Sequence, residues 1–250
     1  MRTARLAKLA LTTLTLLAVQ TTRPALADDT AAAPAIAKDH RTLVVVAELS
    51  EFGDAKYKWL YTFLEANAVG QAQKQLSDSY HEILALSKEH ATLANLHSGL
   101  HALSLASETR VVDTFVHLHG SPDTLWFHEG PHGGAEVRGT MAAEAGFAGK
   151  LRVLYSTACY GDSVADDWLA SGFKAASGAL KVNANGMYDY PALMTAWHDG
   201  KTIGEAQDEG NNVVYRKLYD GIAANQGFSD VDSTKVVHGD RGLTIDSAVQ

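Results

Sequence analysis

The sequence predicts an α/β fold, a mainly parallel sheet with helices on both faces. Three observations lead there. Residues 42–49 (TLVVVAEL) form a compact run rich in β-branched side chains, the type that is buried on both faces of a parallel sheet. Similar short runs recur along the chain and alternate with segments of helical apolar period. The 250 residues show no internal repeat and are enough for one substantial core.

The elements follow in order. Residues 56–75 carry Trp59, Leu60, Phe63 and Leu64 at helical spacing, and residues 80–86 (YHEILAL) read as the second strand. Leucines at 93, 96, 100 and 103 make residues 92–106 an amphipathic helix. Residues 111–118 (VVDTFVHL) are the third strand. A glycine-rich loop and a short helix at 140–144 then lead to a fourth strand at 151–155 (LRVLY). Helices are expected at 163–170 and 190–198, with a strand at 173–179 between them. One long helix at 202–218 and a last strand at 235–238 complete the pattern.

The first 27 residues have the form of an export signal. Arg2, Arg5 and Lys8 precede a short apolar stretch, and Ala25-Leu26-Ala27 offers small residues for cleavage. That stretch is too short to span a bilayer comfortably, so no stable membrane anchor is expected after cleavage. Residues 28–41 are alanine-rich and aperiodic, and a flexible leader is expected before a single domain at 42–250. Loss of the signal takes the formal charge from −8 to −12, which disfavours nucleic acid as a partner. The protein is expected outside the cytoplasm, in the periplasm or secreted, where its single cysteine leaves no internal disulfide.

That cysteine is the centre of the chemical reading. Cys159 follows one predicted strand within YSTACYG, and His119-Gly120 follows another within VVDTFVHLHG. Sites in open α/β sheets assemble at the carboxyl ends of strands, where loops converge on a rigid support. Forty residues leave room for one loop and one helix between neighbouring strands, which would set the imidazole beside the thiol. The histidine could raise the thiolate fraction or accept the proton during attack. Backbone N–H groups of Gly120 and Cys159 could stabilise an oxyanion.

These residues resemble the caspase-hemoglobinase fold cysteine peptidases, which include caspases, gingipains, legumains and clostripain. The resemblance runs over about residues 42–212. SKEHATLANLHSGLHALSLASETRVVDTFVHLHG is similar to the helix and strand that lead to the family's histidine, including Ala91-Thr92, Asn95-Leu96 and Asp113. WLASGFKAASGA and the following LKVNANGMYDYPALMTAWHDGKTIGEA are similar to the continuation after the nucleophile. The resemblance implies a caspase-like three-layer sandwich and an endopeptidase acting on peptide or protein substrates without a cofactor. It implies Cys159 as nucleophile, His119 as base and acid, and Gly120 as a backbone oxyanion donor. Many members have glycine where this chain has His117, and no specificity pocket is recognisable in the sequence.

Other readings compete. A member of the same fold that binds a peptide or partner without catalysis would keep the architecture. A cysteine α/β-hydrolase would use His238 as base and Asp189 or Asp199 as acid, but 40 residues between its oxyanion loop and its nucleophile are too few. His117 and His119, which face the same way on a strand, could gather with His128 and His132 at a metal, yet no carboxylate stands at a diagnostic offset. His97 and His101 lack the glutamate of a zinc-peptidase helix and are expected at the surface.

Overall fold

The computed structural model describes residues 35–142 and 147–249. The expected export signal lies outside the described residues. So does the leader as far as residue 34; in the described remainder, residues 35 and 37–39 are exposed and Ile36 is not. Ile36 is buried, its N–H donates to the Asp246 carbonyl at 2.8 Å, and the Arg41 guanidinium donates to the Ile36 carbonyl. These contacts tie residues 36 and 41 to each other and to the C-terminal segment.

The sheet runs β2-β1-β3-β6-β7-β8. Its members are β1 (Arg41–Glu48), β2 (Glu82–Ser87), β3 (Val111–Ser121), β6 (Leu151–Ser156), β7 (Ala175–Ala179) and β8 (Lys235–Gly239). All neighbours pair in parallel except β8, which is antiparallel to β7. Residues 42–48 of β1 are buried throughout, as a strand covered on both faces requires. One face packs against α2 (Leu93–Leu105), α3 (Gly134–Ala142) and α4 (Ala165–Ala170) through a core that includes Val44, Val116, Leu96, Met141 and Trp168. The other packs against α1 (Lys58–Leu76), α5 (Gly186–His198) and α6 (Ile203–Gly210) through Val45, Phe115, Ala72, Leu193 and Ala206. The result is the expected three-layer α/β sandwich.

Local chemistry starts the helices where the sequence allows. Thr92 caps α2 by accepting the Asn95 N–H, and Thr202 with Glu205 forms a reciprocal capping box on α6. The expected single helix over 202–218 is broken. The Asn211 side chain turns away to pair with both backbone groups of Lys235, and Asn212 caps a new helix, α7 (Val213–Asn225). The expected glycine-rich loop after β3 contains a hairpin, β4 (Thr124–Phe127) and β5 (Gly130–Gly133), and α3 starts well before residue 140.

Register at the centre of the sheet positions the site. Val112 pairs with Leu151, an offset of 39, whereas Thr114, Phe115 and Val116 pair with Leu154, Tyr155 and Ser156, an offset of 40. At this irregularity the Asp113 carboxylate accepts the Val153 N–H at 3.1 Å and holds Arg152 through two hydrogen bonds of 3.0 and 2.6 Å. Both side chains are fully buried. Continued past the ladder, the offset of 40 sets His117 opposite Thr157 and His119 opposite Cys159.

Candidate active site

The carboxyl ends of β1, β3 and β6 open into one cavity of about 560 Å³. Its wall includes His119, Gly120 and Cys159, together with Leu49 beyond β1 and Asn183 beyond β7. The expected pair thus reaches one cavity, as two neighbouring parallel strands allow.

The turn after β1 is built on buried carboxylates. Glu48 accepts the N–H groups of Ser50 and Glu51, each at 2.9 Å, and Glu65 of α1 accepts the Leu49 N–H at 3.2 Å. This fixes the Leu49 carbonyl, which lies 2.8 Å from Nε2 of His119. A carbonyl can only accept, so Nε2 carries the proton and the lone pair of the neutral ring sits on Nδ1. The Tyr61 ring packs edge-on against His119 at 4.8 Å. Burial lowers the His119 pKa from its ordinary value, opposed by the Leu49 hydrogen bond and the charge of Glu48.

Gly120 makes the closest approach to the cysteine segment. A Cβ there would stand 2.2 Å from the Cys159 carbonyl oxygen, so no other residue fits without moving backbone. Ser121 and Thr124 close a two-residue hairpin, which makes them a hydrogen-bonded pair and Gly120 and Leu125 a non-bonded one. The Gly120 N–H accordingly turns away from β4. Val116, four residues earlier on the same strand, accepts the Thr157 N–H across the β6 side.

The cysteine turn is held from several directions. Ser156 Oγ accepts the Ala158 N–H at 3.1 Å. Tyr160 lies in the left-handed region at φ 55° and stores strain directly after the thiol. Asn183 donates its backbone N–H to the Cys159 sulfur at 3.3 Å and its side-chain amide to the Thr157 carbonyl at 2.8 Å. Burial pushes the Cys159 thiol up, and the Asn183 N–H and the Lys235 charge only partly offset this. The raised thiol and lowered imidazole favour a neutral resting pair over a preformed thiolate and imidazolium.

The other candidate residues go elsewhere. His117 is buried, contacts Thr157 Oγ1 at 3.0 Å through Nδ1 and meets the Tyr190 ring at 4.3 Å, while its Nε2 has no hydrogen-bond partner. Burial, then the Lys235 charge, take its pKa to about 3. His128 pairs with Glu48, and His132 sits between Glu129 and Glu136, so these imidazoles do not converge with His117. His97 and His101 stack on each other and meet the Phe147 ring edge-on, half-buried rather than at the surface.

The α/β-hydrolase arrangement is not formed. β3 pairs directly with β6, and His238 is 2.7 Å from Asp162, outside the cavity. Asp189 is buried against Lys235 and Tyr155, and Asp199 is exposed beyond α5. Sequence reading missed Leu49, whose contribution is a carbonyl that any residue would supply. It also missed Asn183, although an asparagine pair around Ala184 just after a strand is a recognisable loop signal.

The chain has the caspase-hemoglobinase fold. Among solved structures it is similar to caspase-1 from Spodoptera frugiperda, at 11% identity and a TM-score of 0.59, over 85% of this chain and 92% of that one. It is also similar to a secreted C11 cysteine protease from Bacteroides thetaiotaomicron, solved with an irreversible peptide inhibitor. There the identity is 10% and the TM-score 0.45, over 80% of this chain and 65% of that one. No model of a known protein family matches the chain, and no curated protein matches it by sequence.

Proposed function

We propose that this protein is an exported cysteine endopeptidase with Cys159 as nucleophile and His119 as general base and acid. The observation that carries the reading is the meeting of Cys159, His119 and Gly120 at one cavity, on two strands whose register offset equals their separation in sequence. The sulfur attacks the carbonyl of a peptide bond as Nδ1 of His119 takes the thiol proton, and the electron pair of the C=O bond moves to oxygen. The N–H groups of Gly120 and Cys159 receive that oxyanion. Collapse breaks the C–N bond, His119 returns the proton to the leaving amine, and a thioester remains. Water, deprotonated by the same imidazole, then hydrolyses it and restores the thiol.

A peptide-binding member without catalysis is the second reading, favoured by the raised thiol pKa. Incubation with a peptidyl acyloxymethyl ketone, read by mass spectrometry, separates the two. The peptidase gains one adduct on Cys159, lost in Cys159→Ala and strongly reduced in His119→Ala. Absence of an adduct, together with no Cys159-dependent cleavage of a peptide library, assigns the binding role.

A further inference from the structure

The wall of this cavity is uncharged. No Asp, Glu, Lys or Arg borders it among the described residues, in a chain of net charge −8. Its faces are Leu60, Tyr61 and Leu64 of α1, Met187 and Tyr190 of α5, and Phe228 after α7. The two imidazoles on the wall supply no cation near neutral pH, since burial lowers both His117 and His119.

Most charges beside the wall are already engaged, and the exposed Lys56 donates to the Tyr57 hydroxyl at 3.1 Å from the rim. Glu48 and Glu65 are taken up by backbone N–H groups beside Leu49. Lys235 is fully buried and paired with Asp189, and Lys181 holds Asp230 at 2.5 Å on the outside. Bringing an ionised side chain in would strip its water and offer no oppositely charged partner on the wall, whereas an apolar one gains contact over its surface. Tyrosine ring edges and a methionine suit aromatic and long aliphatic groups in particular.

We propose that this cavity holds the side chain of the residue whose carbonyl Cys159 attacks, and that it selects a bulky uncharged residue, aromatic or long aliphatic, over an acidic or basic one. This rests on the peptidase reading. The volume, within the range of pockets that bury a drug-sized ligand, exceeds one side chain. The apolar surface also continues outward along α7, where Ile222 borders the cavity and Leu218, one turn earlier, is exposed. A second peptide residue, next to the one whose carbonyl is attacked, is therefore also expected to be apolar.

The test is a panel of acetylated tetrapeptide aminocoumarins that differ only in the residue before the scissile bond: Phe, Tyr, Leu, Met, Asp, Lys or Arg. The expected result is kcat/KM higher by about 100-fold or more for Phe, Tyr, Leu and Met, all lost in Cys159→Ala. Met187→Glu, checked for folding by its melting temperature, should raise the Arg-to-Phe ratio by about 10-fold. Cysteine-dependent cleavage after Asp, Lys or Arg at rates equal to Phe overturns the subsite and leaves the peptidase reading intact. Binding of the same peptides, fluorescein-labelled, to Cys159→Ala keeps the subsite testable without turnover. Tighter binding of the Phe peptide by a similar factor supports it, and equal affinity across the panel overturns it.

Discussion

Nε2 of His119 donates to the Leu49 carbonyl across 2.8 Å, so the strand beside β3 fixes the tautomer of the candidate base. The bond joins residues 70 positions apart and depends on two buried glutamates that shape the turn after β1. It leaves Nδ1 free to accept a proton, and this has a measurable consequence.

The pH dependence of kcat/KM should show an acid limb with its midpoint below the ordinary histidine value of 6.5. The sign follows from the cause: burial disfavours the imidazolium, so Nδ1 stays free as pH falls past 6.5 and is lost only when the ring finally protonates. Because the Glu48 charge opposes this shift, Glu48→Gln should move the limb lower still. A limb centred above 7 would contradict a neutral resting pair.

Gly120→Ala should cost activity by about 100-fold, the usual scale for an ångström of displacement at a reacting centre. The added methyl would meet the Cys159 carbonyl at 2.2 Å, and backbone on both sides must move. Comparing kcat/KM with the melting temperature checks this. Retention of full activity would mean that the Gly120 segment can shift without disturbing the thiol.

At the opposite end of the sheet, Arg152→Met should destabilise the fold by about 3–5 kcal/mol, because it strands the Asp113 carboxylate without its partner. Arg152 also donates to the Ile245 and Ser247 carbonyls at 2.7 and 2.8 Å and so ties the C-terminal segment to the sheet. The double variant Asp113→Asn with Arg152→Met should recover part of the loss, since no unpaired charge remains. Urea unfolding measures both. Equal losses in the single and double variants would show that the tail contacts, rather than the buried ion pair, dominate.

The strands were legible where compact runs are rich in β-branched residues, as at 42–49, and the helices where leucines recur at helical spacing, as in α2. The hairpin after β3 was not, because its four-residue strands are too short for a period to register against the surrounding glycines. The break between α6 and α7 was not legible either. It depends on Asn211 reaching the backbone of Lys235, a partner 24 residues away.

By itself the sequence determined the fold class, the two strand ends that carry His119-Gly120 and Cys159, and their spacing of 40 residues. These are properties of residue type and period, which local chemistry encodes. Only the tertiary structure decided that β3 and β6 are neighbours with a matching offset, and that His119 rather than His117 faces a backbone acceptor from β1. It also decided that the cavity beside the thiol has a wall without Asp, Glu, Lys or Arg, as no sequence window reveals which carboxylates and ammoniums will be paired with each other. Those properties arise from backbone carbonyls, amides and buried charges brought together over long separations, and their partners become defined only when the core packs.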